Sequence, residues 1–200
     1  MKSALEVLKF EEIRCTGDNF ITESGIKFIN HINKNQPLRY LHKIFPGIKF
    51  HEFKIVEQHL GFNPSNSYRD FILEFGGAIL FDRNMHIYGY DSAISRSLDL
   101  DRQKPVYIGQ AYKDFKSIYP ELALQLWAPI GSVALNRQIW VAMNQAGEIK
   151  VINGDTELNL KSFDEWMNLA VPTLASACGC GPIDESEIDV IESVLLCVRS

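Results

Sequence analysis

The residues of this chain that could do chemistry are few and scattered. Carboxylates gather in sequence at Glu74, Asp82, Asp91, Asp99 and Asp101, around a hairpin pattern and the polar segment that follows it. Two of them meeting in a cleft could share general acid and base work. Asp is favoured in turns for local backbone bonding alone, so the same cluster reads more simply as solvated turn residues. Cys178 and Cys180 form a Cys-x-Cys that could give two thiolates to a metal. The remaining ligands would have to be Cys15, Cys197 or distant histidines, without a recognised zinc spacing. Small thiols beside a glycine-rich loop are the simpler reading. His31, His42, His51, His59 and His86 form no i, i+4 pair and no His-Glu-x-x-His helix, so surface or half-buried positions are expected for them. No Gly-x-x-x-x-Gly-Lys loop and no Gly-x-Ser-x-Gly elbow is present. Neither catalytic residues, nor a metal, nor another cofactor is therefore assigned.

Residues suited to protein contacts are better represented, since interface hot spots favour Trp, Tyr and Arg. Trp140 lies among strand residues and Trp166 on the apolar face of a helix pattern, so both are expected in the core. Trp127, just ahead of Pro129, is expected to be more exposed. Tyr88-Gly89-Tyr90-Asp91 ends a strand beside a loop, where binding residues often sit. Strand alternation alone would place one tyrosine inward and one outward. Near the end of the chain, Asp184 and Glu187 suggest an acidic helix start, with Ile188, Ile191 and Leu195 as an apolar stripe. That helix could offer its acids to a basic protein, or its stripe to a second subunit. The candidate partner-binding residues are Tyr90, Asp91, Asp99, Asp101, Trp127 and Glu187.

The elements that must position these residues are clearest over residues 60–90. Gly61 sits where a left-handed helix C-cap belongs, and Pro64 forces a fresh start. Tyr68, Phe71, Ile72 and Phe75 recur at i, i+3, i+4 and i+7, the apolar face of a helix that Gly76-Gly77 should end. Residues 78–81 and 85–90 read as strands around the polar turn Asp82-Arg83-Asn84. Before this region, Phe53, Val56 and Leu60 mark a helix. Ile26, Phe28, Ile29 and Ile32 predict another over residues 23–33, after a Thr22 cap, and residues 38–45 a short one.

After the hairpin, residues 91–104 are polar and read as a loop. Residues 106–109 are a short strand candidate, and residues 111–118 carry a helical pattern. Residues 122–127 form an apolar run. Residues 130–135, 138–143 and 148–152 then read as a meander, with Asn153-Gly154-Asp155 a strong turn signal. Ser162 and Glu165 form a capping-box pattern for a helix burying Phe163, Trp166, Met167 and Ala170, which Pro172 should kink or interrupt.

Two hundred residues with 46% hydrophobic and 22% charged side chains suit one soluble globular domain with appendages. No window approaches the ~18 apolar residues of a membrane span. Glu6, Lys9, Glu11 and Glu12 stand where a signal peptide needs an apolar core, so a cytoplasmic protein is expected. The net charge of −5 disfavours direct nucleic-acid binding and suits a basic partner. Residues 178–200 are the most acidic part, with one Arg against five Asp and Glu. Consecutive strands with helices before and after predict an α+β fold: a mostly antiparallel curved sheet with helices packed on one side, plus N- and C-terminal helical elaborations. The expected organisation is an N-terminal elaboration over residues 1–52, a core domain over 53–177, and a glycine-rich linker with an acidic helix over 178–200.

The run Leu60-Gly61, Asn63-Pro64, Tyr68-Arg69-Asp70-Phe71-Ile72 and Gly76-Gly77 resembles the SUKH superfamily. That superfamily takes in Smi/Knr-type cell-wall regulators and bacterial immunity proteins against polymorphic toxins. Ala128-Pro129-Ile130-Gly131, residues 147–151 and Ser162-Phe163-Asp164-Glu165-Trp166 extend the resemblance, which spans about residues 53–170. Ile72 stands at a usual Leu, Asn63 where Leu is common, and Ser132-Val133-Ala134-Leu135-Asn136-Arg137 replaces a Gly/Asp-rich segment of many members. The resemblance implies a curved sheet with helices on one side. It also implies a non-enzymatic protein that binds and neutralises a cognate toxin, a nuclease being one candidate. A regulatory or scaffold protein of the Smi/Knr type is the alternative implied by the same superfamily. A carboxylate-dependent enzyme is the second alternative.

Overall fold

The computed structural model describes residues 1–14, 19–30, 40–81, 83–90, 104–134 and 138–177. Within them nine strands form one open antiparallel sheet, accompanied by six helices, which is an α+β fold. The strands lie in chain order from β1 to β9, so each pairs with its neighbour in sequence, including across the two helical segments between Ile44 and Ala78 and between Ile87 and Ala128.

The N-terminal third differs most from expectation. Helix α1 (Ala4–Arg14) starts in a capping box: the Ser3 N–H donates to Glu6 Oε2 at 2.8 Å and the Glu6 N–H to Ser3 Oγ at 3.3 Å. Residues 23–30, the described part of the helix that the apolar spacing predicts over 23–33, are not helical. β1 (Asn19–Ile21) and β2 (Lys27–Asn30) make a hairpin instead, and β3 (Tyr40–Ile44) replaces the helix expected over residues 38–45. The turn explains the difference. Thr22 N–H donates to Ile26 O at 3.0 Å, Ile26 N–H donates back to Thr22 Oγ1 at 3.1 Å, and Gly25 has φ +84°. A three-residue loop with a left-handed glycine is a hairpin connection, not a helix start. The apolar residues then feed two faces by strand alternation. Ile29 joins the main core, whereas Ile26 and Phe28 join a small cluster with Phe45.

The central third follows its pattern closely. α2 (Phe50–Leu60) buries Phe53, Val56 and Leu60, and Gly61 caps it at φ +79° with its N–H on Glu57 O. α3 (Asn66–Glu74) buries Tyr68, Phe71 and Ile72 completely. β4 (Ala78–Leu80) and β5 (Met85–Ile87) form the expected hairpin, paired Leu80 to Met85. The strand expected over residues 106–109 shrinks to one parallel bridge between Gly89 and Tyr107. Helix α4 (Ile108–Ile118) begins immediately after it, and a short α5 (Pro120–Leu124) follows.

β6 (Ala128–Ala134), β7 (Gln138–Met143) and β8 (Ile149–Asn153) form the meander. An additional strand, β9 (Thr156–Leu160), closes a two-residue turn at Gly154-Asp155 and forms one edge of the sheet. Helix α6 (Phe163–Ala177) starts where Ser162 Oγ accepts the Glu165 N–H at 3.1 Å. It buries Phe163, Trp166, Met167 and Ala170 and runs through Pro172 without interruption. Its first turn also holds α1, whose Ala4 N–H donates to Asp164 Oδ1 at 2.6 Å. Among the described residues no helix is long and apolar enough to cross a membrane. The predicted linker and helix over residues 178–200 lie outside the described residues.

Three backbone segments cross where β3, β4 and the end of β5 meet. A Cβ on Gly89 would overlap the Gly76 carbonyl oxygen, and a Cβ on Gly76 would overlap the Pro46 carbonyl oxygen. Hydrogen bonds run through the same point: Phe45 N–H to Gly77 O at 3.1 Å, and Gly89 N–H to Val106 O at 2.9 Å. Backbone cannot retreat as a flexible side chain can, so even one methyl group displaces whole elements. Gly76→Ala and Gly89→Ala should each cost more than about 3 kcal/mol in urea unfolding, or abolish cooperative unfolding. Gly154→Ala, at a turn with no atom within 4 Å of the added Cβ, should cost only about 1 kcal/mol. Equal losses at all three sites would contradict the crossing as the reason for the double glycine.

Candidate functional site

Of the six residues expected to contact a partner, Tyr90 and Trp127 are described, whereas Asp91, Asp99, Asp101 and Glu187 lie outside the described residues. All four cysteines and Asp82 do as well. Trp127 is not exposed as expected: it is buried, at 9% exposure, and Lys150 Nζ lies 5.0 Å from its ring centroid. The cause is local. The Trp127 N–H turns back to Leu122 O at 3.0 Å and the Leu126 N–H to Ala123 O at 3.1 Å. These two bonds are the signature of a Schellman helix end, which sends Trp127 inward beside Leu122. Trp140 and Trp166 are buried as expected.

Tyr90 is half-buried and packs against the main core. Its ring lies 6.3 Å from that of Tyr107, whose hydroxyl is 2.7 Å from His59 Nε2. Burial and the nearby Lys113 charge both lower the His59 pKa, and burial first, then Tyr90, raises that of Tyr107. A neutral imidazole and a protonated phenol therefore share this bond at neutral pH. It joins α2 to the start of α4, so its evident role is to brace the two helices. His42 departs from the surface or half-buried expectation: it is buried, and its Nδ1 accepts the Phe81 N–H at 3.3 Å.

The more distinctive face lies one helix further on. An open groove of about 430 Å³ runs between α5 and the β8–β9 turn. Its charged lining is wholly acidic: Glu121, Asp155 and Glu157. Glu157 is engaged by Lys150 at 2.6 Å, while Glu121 and Asp155 have no ion-pair partner among the described residues. Tyr119 lines the same groove; burial first, then Asp155 and Glu157, push its phenol pKa up.

Ile118, which lines the groove, and Leu124 and Leu126, which belong to the same stretch of chain without lining it, are exposed to 56%, 82% and 49%. Among the described residues only six large apolar side chains are this exposed, and half of them fall within these nine positions. Leu126 is also unusual in its backbone. It has φ +60°, in the position after the helix end that glycine normally takes. A left-handed conformation costs a residue with a Cβ about 1 kcal/mol or more. Half-exposed, Leu126 recovers only part of that by burial, and outliers of this kind cluster at functional sites.

Sequence reading missed this face. Residues 122–127 registered as an apolar run and Asn153-Gly154-Asp155 as a turn, and nothing in their order shows that they meet. The available signal was excess: four apolar residues and Trp127 in six positions exceed what one turn of helix can bury. Among the described residues no group of three His, Cys, Asp or Glu side chains is placed to hold a metal ion. What the geometry offers is an open acidic groove with exposed apolar side chains nearby, on an α+β scaffold. In comparisons with known proteins, no family model, no curated protein and no solved structure matches the chain.

The pKa values of His59 and His86 move the same way. His86 is lowered chiefly by burial, against an opposing hydrogen bond to Arg83 O at 3.0 Å. A histidine whose folded pKa lies below its unfolded value of about 6.5 binds protons more readily when unfolded. Its contribution to stability is then intact above that value and lost as pH falls toward the folded pKa. NMR titration of the imidazole signals should give midpoints below 6.5 for His59 and His86. His59→Gln should reduce the loss of thermal stability between pH 7 and pH 5; an unchanged loss would contradict the assignment.

Proposed function

We propose that this chain is a non-enzymatic binding protein of the SUKH type, an immunity protein that binds a cognate toxin in the cytoplasm and neutralises it. The observation that carries the binding reading is the face around α5, where exposed leucines accompany Glu121 and Asp155, which have no ion-pair partner among the described residues. An acidic groove with exposed apolar side chains nearby suits a protein partner better than a small polar metabolite. The immunity reading draws on the resemblance in residues 60–90. Their order of capped helix, second helix, double glycine and hairpin is the order of the superfamily pattern. A charge of −5 over 200 residues steers a basic partner without supplying the affinity, so shape and apolar contact must carry most of a tight complex.

Co-expression with the C-terminal domain of a toxin-like protein encoded beside it tests this reading. Restored growth and a stable complex on size exclusion are expected. Continued toxicity with the protein folded and abundant would count against immunity and favour a regulatory protein.

A further inference from the structure

We propose that the groove between α5 and the β8–β9 turn seats a basic segment of the partner protein. One lysine or arginine of that segment would lie between Glu121 and Asp155, with flanking apolar side chains on Leu124 and Leu126. This rests on the reading of the chain as a protein-binding domain, and not on the partner being a toxin.

Charge selects the occupant. The three charged side chains lining the groove are acids. The nearby Lys150 is committed to Glu157 and to the Trp127 ring, so it does not neutralise Glu121 or Asp155. A cation entering there meets two carboxylates and the Tyr119 ring, a setting that suits a guanidinium in particular because it can bond a carboxylate and stack on an aromatic face. The chain's own residues 178–200 carry one Arg against five acids and are of the wrong sign to fill it.

The leucines supply the second requirement. A lone cation in an open groove is held weakly, because water screens it. Ile118 lines the groove, and the exposed Leu124 and Leu126 of the same short stretch add apolar area that a segment longer than the groove would cover. Leu126 holds its position against its backbone preference, where glycine would be easier. Its side chain is therefore the part of the turn that contact with a partner explains.

The test uses the full-length protein and a random peptide library displayed on phage, with selected peptides then measured by fluorescence anisotropy. The selected sequences should be rich in Arg or Lys beside apolar residues. The double variant Glu121→Lys/Asp155→Lys should weaken their binding by about tenfold or more. Leu126→Gly should raise the melting temperature of the free protein while weakening the same peptides, a split that a purely structural leucine would not give. Peptides lacking a cation, peptides that bind the double variant equally well, or pairing along the β9 edge instead would overturn the proposal. So would self-association through this face. The two readings fail separately. A toxin neutralised equally well by the double variant removes the groove and leaves immunity standing. Peptides that require the groove, from a protein that protects against no toxin, do the reverse.

Discussion

At the crossing of residues 45–47, 75–77 and 88–89, backbone meets backbone with no room for a Cβ between them. Most packing in a protein tolerates adjustment, because side chains can change rotamer around a small intrusion. Here the neighbours are carbonyl groups held in place by their own hydrogen bonds. Phe45 bonds to Gly77, and Gly89 bonds to Val106 and receives the Ile108 N–H at 2.9 Å. One point thus fixes β3 against β4, ends α3, and sets where α4 begins.

The consequences reach the groove beside α5. With the start of α4 fixed at Gly89, Phe115 comes to rest 5.7 Å from the Trp140 ring of β7, and Tyr119 follows at the helix end. α5 then has only a few residues in which to return the chain to β6, and it does so with a tight helix end centred on Leu126. Trp127 is drawn into the core under Lys150, and Lys150 in turn reaches Glu157 on β9. The acids of the groove, together with the exposed Leu124 and Leu126, are what this short return leaves outside. The site is built on the shortness of the connection as much as on its side chains.

Legibility in the sequence followed how local the cause was. The span from Phe53 to Ile87 was readable because each boundary has its own signal: a left-handed glycine, a proline, a double glycine, and apolar residues at helical spacing. The N-terminal third was misread because Ile26, Phe28, Ile29 and Ile32 fit a helical stripe, and the deciding residue is Gly25 in a three-residue turn. β9 was missed because Thr156–Leu160 is largely exposed and its alternation is short, with only Leu158 and Leu160 turned to the core. Trp127 was misplaced because its burial depends on a leucine adopting a glycine conformation, which no propensity anticipates. The groove joins residues more than thirty positions apart, and only the sheet brings them together.

The central claim is that the glycine crossing makes the N-terminal strands and α4 part of one cooperative unit with the meander. Native-state amide exchange tests it most directly, because each protected N–H reports the free energy of the opening that frees it. The amides of Phe45, Gly89 and Ile108 should exchange with the same opening free energy as Val141 at the centre of β7. They should also share its dependence on denaturant. Exchange of those three amides through a much smaller opening, with Val141 still protected, would show that the crossing is a peripheral contact and contradict this account.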